Sequence, residues 1–132
     1  MKPVFASIDL GGTNIKAALA HEDGEVRISR TVATESHEGP QGVLNRIGSL
    51  VGDLCRESEC RVEAAGMAVP GLADLENGTT KFLPNLPTQW RDVPVRAMLE
   101  PSLECPVYLL NDVRMATLGE SQFGHGRSAN TM

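Results

Sequence analysis

The chain has 132 residues, enough for one domain but too few for two independent hydrophobic cores. Its 41% hydrophobic and 22% charged residues are typical of a folded protein rather than a disordered one. The formal net charge of -5 disfavours binding to nucleic acids and anionic membranes, and no apolar run is long enough to span a bilayer. The odd number of cysteines and the lack of a signal-like segment after Met1 predict a cytoplasmic protein with reduced thiols.

The first part of the chain predicts a three-stranded antiparallel meander over residues 4–34. A mostly buried strand covers residues 4–10 and stops at Gly11-Gly12, and Asp23-Gly24 predicts a tight turn between the next two strands. Residues 16–20 also have helical propensity, so a helix there is the alternative.

The middle of the chain predicts a helix, a strand and a hairpin. The helix opens at Gly39-Pro40 and ends near Glu59. Its apolar stripe consists of Val43, Leu44, Ile47, Leu50, Val51, Leu54 and Cys55. Residues 62–69 follow as a strand, and Asn77-Gly78 predicts a hairpin turn.

The last part predicts a helix, a strand and a final helix. Asp92 is placed to cap a short helix that has Pro94 in its first turn and that Pro101 limits or bends. Residues 107–110 form a buried strand, and Asn111-Asp112 marks the start of the last helix. This order of elements predicts an α/β fold with helices packed on a mixed sheet.

Residues 9–13 combine groups that suit a phosphate and a metal ion. Gly11 and Gly12 allow a tight turn whose backbone N–H groups can approach an anion, and Thr13 adds a hydroxyl donor. Asp9, at the strand end, is placed to hold a hydrated divalent cation beside that anion. Neither GxxxxGKS/T nor GxGxxG is present, so a plain glycine turn with a solvated Asp9 is an equal alternative.

Asn111 and Asp112 follow a buried strand and precede a predicted helix. A carboxylate there can accept the proton of a bound hydroxyl, and the Asn111 amide can orient that hydroxyl. The helix N-terminus would keep Asp112 ionised and therefore a weak base, which suffices in the loose transition state of phosphoryl transfer. Taken alone, the pattern favours a simpler role for Asp112 as a helix cap.

The cysteines, the histidines and the single tryptophan are predicted to have structural or solvated roles. The cysteines lack the spacing of a zinc cluster and are predicted to be structural: Cys55, Cys60 and Cys105. The histidines fall in predicted turns or loops and are expected to be solvated: His21, His37 and His125. Trp90 could line a ligand pocket with its apolar face, but a single Trp near a turn is more often a packing anchor.

Four short motifs occur in order along the chain. They are residues 9–16 (DLGGTNIK), 69–71 (VPG), 84–86 (PNL) and 111–120 (NDVRMATLGE). In their order and approximate spacing they resemble the ROK family, which groups bacterial repressors, open reading frames and sugar kinases, including glucokinase-like members. The resemblance covers nearly the whole chain.

The resemblance implies a fold and a set of site residues. The fold would be an actin-like, ribonuclease-H-like ATPase lobe, and residues 1–132 would be the N-terminal lobe of a two-lobed sugar kinase. Residues facing magnesium and the ATP phosphates would be Asp9, Gly11, Gly12, Thr13 and Lys16, with Asp9 at the metal. Residues holding sugar hydroxyls would be Gly71, Asn85, Asn111 and Asp112. Asp112 would be the base that activates the attacking hydroxyl, and Glu120 would be structural.

Two features depart from the family pattern. After Asn-Asp the family commonly has small residues and a second Asn, whereas this chain has Val113, Arg114 and Met115. The family's second lobe, with another phosphate loop, an adenosine site and a zinc-binding CxCGxxGCxE cluster, has no counterpart in these residues. Any zinc would therefore belong to that second lobe.

These observations predict an ATP-dependent, glucokinase-like hexose kinase that is a homo-oligomer as a whole protein. A sugar-sensing transcriptional regulator of the same family is the leading alternative. Such regulators carry a helix-turn-helix domain before the DxGGT motif, whereas eight residues precede Asp9 here, and the acidic charge also disfavours DNA. A non-catalytic sugar-binding module is the third interpretation.

Overall fold

The structure, a computed structural model, describes residues 3–69, 71–83 and 90–111. The strands in this part of the chain are β1 (Val4–Leu10), β2 (Asn14–His21), β3 (Val26–Ala33), β4 (Val62–Val69), β5 (Leu72–Asp74), β6 (Thr79–Phe82) and β7 (Val107–Asn111). The α-helices are α1 (Gly39–Ser58) and α2 (Val95–Leu103), and a short 3-10 helix, Ser36–Glu38, precedes α1. None of the helices in these ranges is both long and apolar enough to cross a lipid bilayer.

Five of the strands form one mixed sheet in the order β3-β2-β1-β4-β7, and β5 pairs with β6 in a separate hairpin. β1, β2 and β3 are antiparallel neighbours, whereas β4 lies parallel to β1 and β7 parallel to β4. The predicted meander and mixed α/β sheet are confirmed. The alternative helix over residues 16–20 is wrong, because pairing on both sides of β2 outweighs local helical propensity.

The core lies between one face of the sheet and the two helices. The apolar stripe of α1 is buried there as predicted, through Val43, Leu44, Ile47, Leu50, Val51 and Leu54. Ile8 and Leu10 of β1 belong to the same core. Because side chains alternate along a strand, Asp9 between them lies on the opposite face of the sheet.

The structure differs from the expectation at Asp92. Pro94 is the N-cap of α2, and Asp92 lies outside the helix with φ of 56°. The Asp92 N–H donates to the Thr80 carbonyl at 2.8 Å, and the Thr80 N–H donates to the Val93 carbonyl at 3.0 Å. The predicted cap is wrong because the Asp92 backbone pairs with β6, while its carboxylate binds Lys81 at 2.9 Å.

Pro101 lies inside α2 and does not limit it, because the helix continues to Leu103. A proline costs a helix one backbone hydrogen bond. Leu99 and Leu103 are buried in the core on either side of Pro101, and this packing holds the last turn in place.

Candidate functional site

The carboxyl ends of three parallel strands meet at one edge of the large sheet. β1, β4 and β7 all end there, and the register pairs Asp9 with Ala68 and Val69 with Asn111. The chain segments that follow these strands therefore leave the sheet side by side, as at the ligand-binding edge of other parallel sheets. This carboxyl edge brings together three predicted site segments: residues 9–13, Gly71 and Asn111.

Gly11, Gly12 and Thr13 join β1 to β2 in a tight turn. The Gly11 N–H donates to the Asn14 carbonyl oxygen at 2.9 Å. A Cβ built on Gly11 would lie 2.9 Å from that same oxygen, so a side chain at this position would disturb the turn. Both glycines are half-buried and Thr13 is exposed, which leaves the turn accessible to a ligand.

Thr34 also belongs to this candidate site, although no motif in the sequence singles it out. It follows β3 and is fully buried. Its Oγ1 donates to the Gly11 carbonyl at 2.8 Å, and its backbone N–H donates to the Thr13 carbonyl at 2.8 Å. The pairing of Asn14 with Ala33 places Thr34 opposite Thr13, so the register of β2 against β3 is the signal that identifies it.

Charged side chains flank the turn on the sheet face that the helices do not cover. Lys16 of β2 is paired directly opposite Asp9 of β1, and both residues are exposed. A carboxylate, an ammonium group, the Thr13 hydroxyl and the backbone N–H groups of the turn thus occupy one corner of the carboxyl edge. This donor set fits a magnesium–phosphate group, since magnesium prefers oxygen ligands and phosphate accepts hydrogen bonds from N–H and ammonium groups.

The predicted sugar contacts are described only in part. Gly71 is half-buried between β4 and β5, and Asn111 is the last residue of β7. The remaining positions predicted at or beside the sugar site lie outside the described residues: Asn85, Asp112, Val113, Arg114, Met115 and Glu120. Their roles stay predictions.

Arg96 of α2 ties the β5–β6 hairpin to β7. Its Nη1 donates to the Glu76 carbonyl at 2.7 Å, its Nη2 to the Leu75 carbonyl at 2.9 Å and its Nε to the Val107 carbonyl at 3.0 Å. Glu100, one turn further along α2, accepts the Val107 N–H at 3.0 Å. Two side chains of α2 therefore fix the start of β7, the strand that ends at Asn111.

Trp90 is a packing anchor, as the sequence favours. Its side chain is buried in the main core, with 1% of its surface exposed, so its ring does not offer a face to a sugar. The Thr80 hydroxyl donates to the Trp90 carbonyl at 2.5 Å and holds the adjoining backbone.

The three cysteines are half-buried and carry free thiols: Cys55, Cys60 and Cys105. Cys60 and Cys105 line an open cleft of about 650 Å³ together with Val4 and Val62, at the amino ends of the parallel strands. Burial raises the pKa of the Cys55 thiol, and burial aided by the neighbouring Cys55 and Glu100 raises the pKa of Cys105 to about 11. Both thiols are therefore protonated at neutral pH.

The histidines differ from one another in their surroundings. His21 is the last residue of β2, and its half-buried Nδ1 lies 3.1 Å from the Pro3 carbonyl oxygen. The expectation that His21 is solvated in a turn is wrong, because pairing with β1 extends to the end of β2. His37 is exposed, with its ring 3.7 Å from the Glu35 carboxylate, and His125 lies outside the described residues.

Comparisons with known proteins agree with this fold. The chain matches the ROK family over residues 5–132. It is 35% identical to a glucokinase of Thermotoga maritima over 120 residues, which are 91% of this chain and 37% of that protein. It is 30% identical to a putative xylose repressor of a Caldicellulosiruptor species, over 92% of this chain and 31% of that protein.

A crystal structure of a ROK family glucokinase from Streptomyces griseus, in complex with glucose and AMPPNP, has the same fold. It superposes with a TM-score of 0.78 at 31% identity, over 93% of this chain and 38% of that one. The chain thus spans roughly a third to two-fifths of the length of these relatives. From the family match over most of its residues, and from the glucokinase-like five-stranded sheet with its helices, we conclude that the chain belongs to the ROK family.

Proposed function

We propose that this chain is the N-terminal lobe of an ATP-dependent, glucokinase-like hexose kinase. The observation that carries the proposal is the convergence of residues 9–13, Gly71 and Asn111 at the carboxyl edge of the sheet. A kinase must hold a nucleotide and an acceptor hydroxyl next to each other and in line, and neighbouring strand ends provide such an arrangement. We expect the whole protein to be a cytoplasmic homo-oligomer.

The turn after β1 would hold the nucleotide. Asp9 would hold the magnesium ion, and Lys16 would contact the phosphates. The Gly12 N–H and the Thr13 hydroxyl would donate hydrogen bonds to phosphate oxygens. Gly11, whose own N–H binds a backbone carbonyl, would let the phosphates approach the turn closely because it has no side chain. When bound, magnesium and ATP supply the transferable phosphoryl group and neutralise part of its charge. The TM-score of 0.78 with a glucokinase crystallised with glucose and AMPPNP supports the proposal that this fold takes part in nucleotide binding.

The segments after β4 and β7 would hold the sugar. Gly71 and Asn85 would contact sugar hydroxyls, and Asn111 would orient the acceptor hydroxyl. Asp112, which follows Asn111 in sequence, would accept the proton of that hydroxyl as it attacks the γ-phosphate. A weak base suffices for this step because the nucleophile needs positioning more than early deprotonation.

The Asp112→Asn substitution tests this mechanism in the longest natural chain that contains these residues. The amide keeps the size and the capping ability of the side chain but removes the proton acceptor. We expect the turnover of glucose to fall by about 10²-fold or more, while glucose affinity measured by calorimetry changes far less.

Asp53→Asn is the matched control, since Asp53 of α1 has a half-exposed side chain, pairs with Arg56 and lies outside the proposed site. Full turnover in Asp112→Asn would remove Asp112 from the mechanism. A loss of thermal stability with unchanged kinetics would instead favour the helix-cap role of Asp112.

A sugar-responsive regulator is the second candidate function, and the 30% identity to a putative xylose repressor favours it. Such a protein would use the same sugar contacts for sensing. A whole protein that binds sugar, fails to turn over ATP and releases DNA on sugar binding would support the regulator and contradict the kinase.

A further inference from the structure

Thr34 fixes the direction in which the turn after β1 presents its backbone. The Thr34 hydroxyl holds the Gly11 carbonyl and the Thr34 N–H holds the Thr13 carbonyl, each at 2.8 Å. Thr34 is fully buried behind the turn, so both carbonyls point inward. One residue therefore joins the end of β3 to the β1–β2 turn, although Thr34 and Gly11 are 23 residues apart in sequence.

Because the peptide bond is planar, these two contacts also determine the direction of the following N–H groups. In a trans peptide unit the C=O and the following N–H point in opposite directions. Because the Gly11 carbonyl points at Thr34, the Gly12 N–H points away from Thr34. The Thr13 carbonyl is likewise turned inward, so neither partially negative oxygen faces the outer side of the turn. An anion on that side would therefore face the Gly12 N–H donor rather than the two carbonyl oxygens.

We propose that Thr34 is a positioning residue for phosphate binding: it holds the carbonyls of Gly11 and Thr13 inward, so that the turn faces the nucleotide with N–H groups. The proposal rests on the proposed function, since it assigns Thr34 a role toward the ATP phosphates. Thr34 would not touch the nucleotide itself.

Two substitutions separate the hydroxyl from the shape of the side chain. Thr34→Val keeps the branched shape but removes the donor to Gly11, whereas Thr34→Ser keeps the donor. In the longest natural chain we expect Thr34→Val to weaken magnesium–AMPPNP binding and to raise KM for ATP by about tenfold, as for one lost hydrogen bond. Glucose affinity should change by less than about twofold, and Thr34→Ser should restore nucleotide affinity to within about threefold of the original.

Thr80→Val is the matched control for stability. Thr80 is also fully buried and also donates its hydroxyl to a backbone carbonyl, that of Trp90 in the core. We expect both valine variants to lower the melting temperature, because each leaves a carbonyl that is at least half-buried without its hydroxyl donor. Only Thr34→Val should lower the affinity for AMPPNP.

The outcomes distinguish this proposal from the proposed function. Suppose that the unmodified protein phosphorylates glucose and that the Thr34→Val variant binds AMPPNP as tightly as the unmodified protein. The proposed kinase function is then upheld, whereas the proposed role of Thr34 is refuted. An equal loss of glucose and AMPPNP affinity in Thr34→Val would also refute it, since that pattern indicates general damage. If the unmodified protein binds no AMPPNP, both proposals fail.

Discussion

β1 contributes side chains both to the hydrophobic core and to the candidate site. Ile8 and Leu10 are buried under the helices, whereas Asp9 is exposed on the other face opposite Lys16. The alternation of side chains along β1 produces this division. A change in strand register by one residue would bury Asp9 and expose Ile8, so the packing of the core specifies where the charge lies.

Cys105 gives a pH-dependent prediction at the same scale. Its pKa is raised to about 11, chiefly by burial, above the ordinary value of 9.0 that we expect in the unfolded chain. The folded state therefore holds the thiol proton more tightly than the unfolded state. The contribution of Cys105 to stability is fully present below pH 9 and is lost as the pH rises toward about 11.

Alkylation of Cys105 by iodoacetamide, followed by peptide mass spectrometry, measures this pKa. We expect the rate in the folded protein to reach half of its maximum near pH 11, and near pH 9 in the denatured protein. A half-maximal rate near pH 9 in both states would show that burial does not perturb this thiol.

Single residues were the least predictable part of the molecule. Thr34 was missed because its role depends on the pairing of β2 with β3. A bulge between Leu19 and Ala20 shifts that pairing, and the turn sequence does not reveal the bulge. Asp92 was mistaken for a helix cap because its sequence context does not show the pairing of its backbone with Thr80.

The elements were far more predictable than these residues. The apolar stripe of α1 and the run of buried residues in β4 are local patterns, and the structure contains both elements at the predicted places. The hairpin turn at Asn77-Gly78 is also local, with Gly78 at φ of 68°. The contacts between elements, such as those of Arg96, depend on the assembled fold and could not be inferred from spacing.

Arg96 provides a prediction at the scale of the element. Arg96→Met keeps the apolar stem but removes the three hydrogen bonds to the β5–β6 hairpin and β7. We expect amide hydrogen exchange in residues 72–79 and 107–110 to become about tenfold faster or more, while exchange in β1 and β2 changes little.

Arg61→Met is the control, because Arg61 is an exposed arginine just before β4. Faster exchange throughout the sheet in Arg96→Met would indicate global destabilisation rather than a local tether. Unchanged exchange in the hairpin would show that the backbone pairs of β6 suffice to hold it.

At the scale of the whole molecule, we predict that residues 1–132 alone do not phosphorylate sugars. The chain spans 37% of a related glucokinase and supplies one candidate phosphate-binding turn, one candidate metal carboxylate and one candidate base. Phosphoryl transfer requires groups around the γ-phosphate on several sides. In the proposed two-lobed kinase these residues would form only one side of the sugar cleft, so their sugar affinity alone should be roughly millimolar or weaker.

A coupled assay on the purified 132-residue chain checks this prediction. Glucose, mannose, N-acetylglucosamine and fructose serve as acceptors at millimolar ATP and magnesium, and the Asp112→Asn form of the same chain serves as the blank. Turnover clearly above that blank would mean that residues 1–132 are sufficient for catalysis.

The gathering of the predicted site segments at the carboxyl edge has an evolutionary consequence. The sheet and its helices form the core, whereas these segments lie at or just after the carboxyl ends of strands, where substitutions disturb the core packing less. Natural selection can therefore alter the chemistry of such a fold by few changes at strand ends and without rebuilding its scaffold. Descent from one ancestral fold is then compatible with relatives as different as a glucokinase and a xylose repressor.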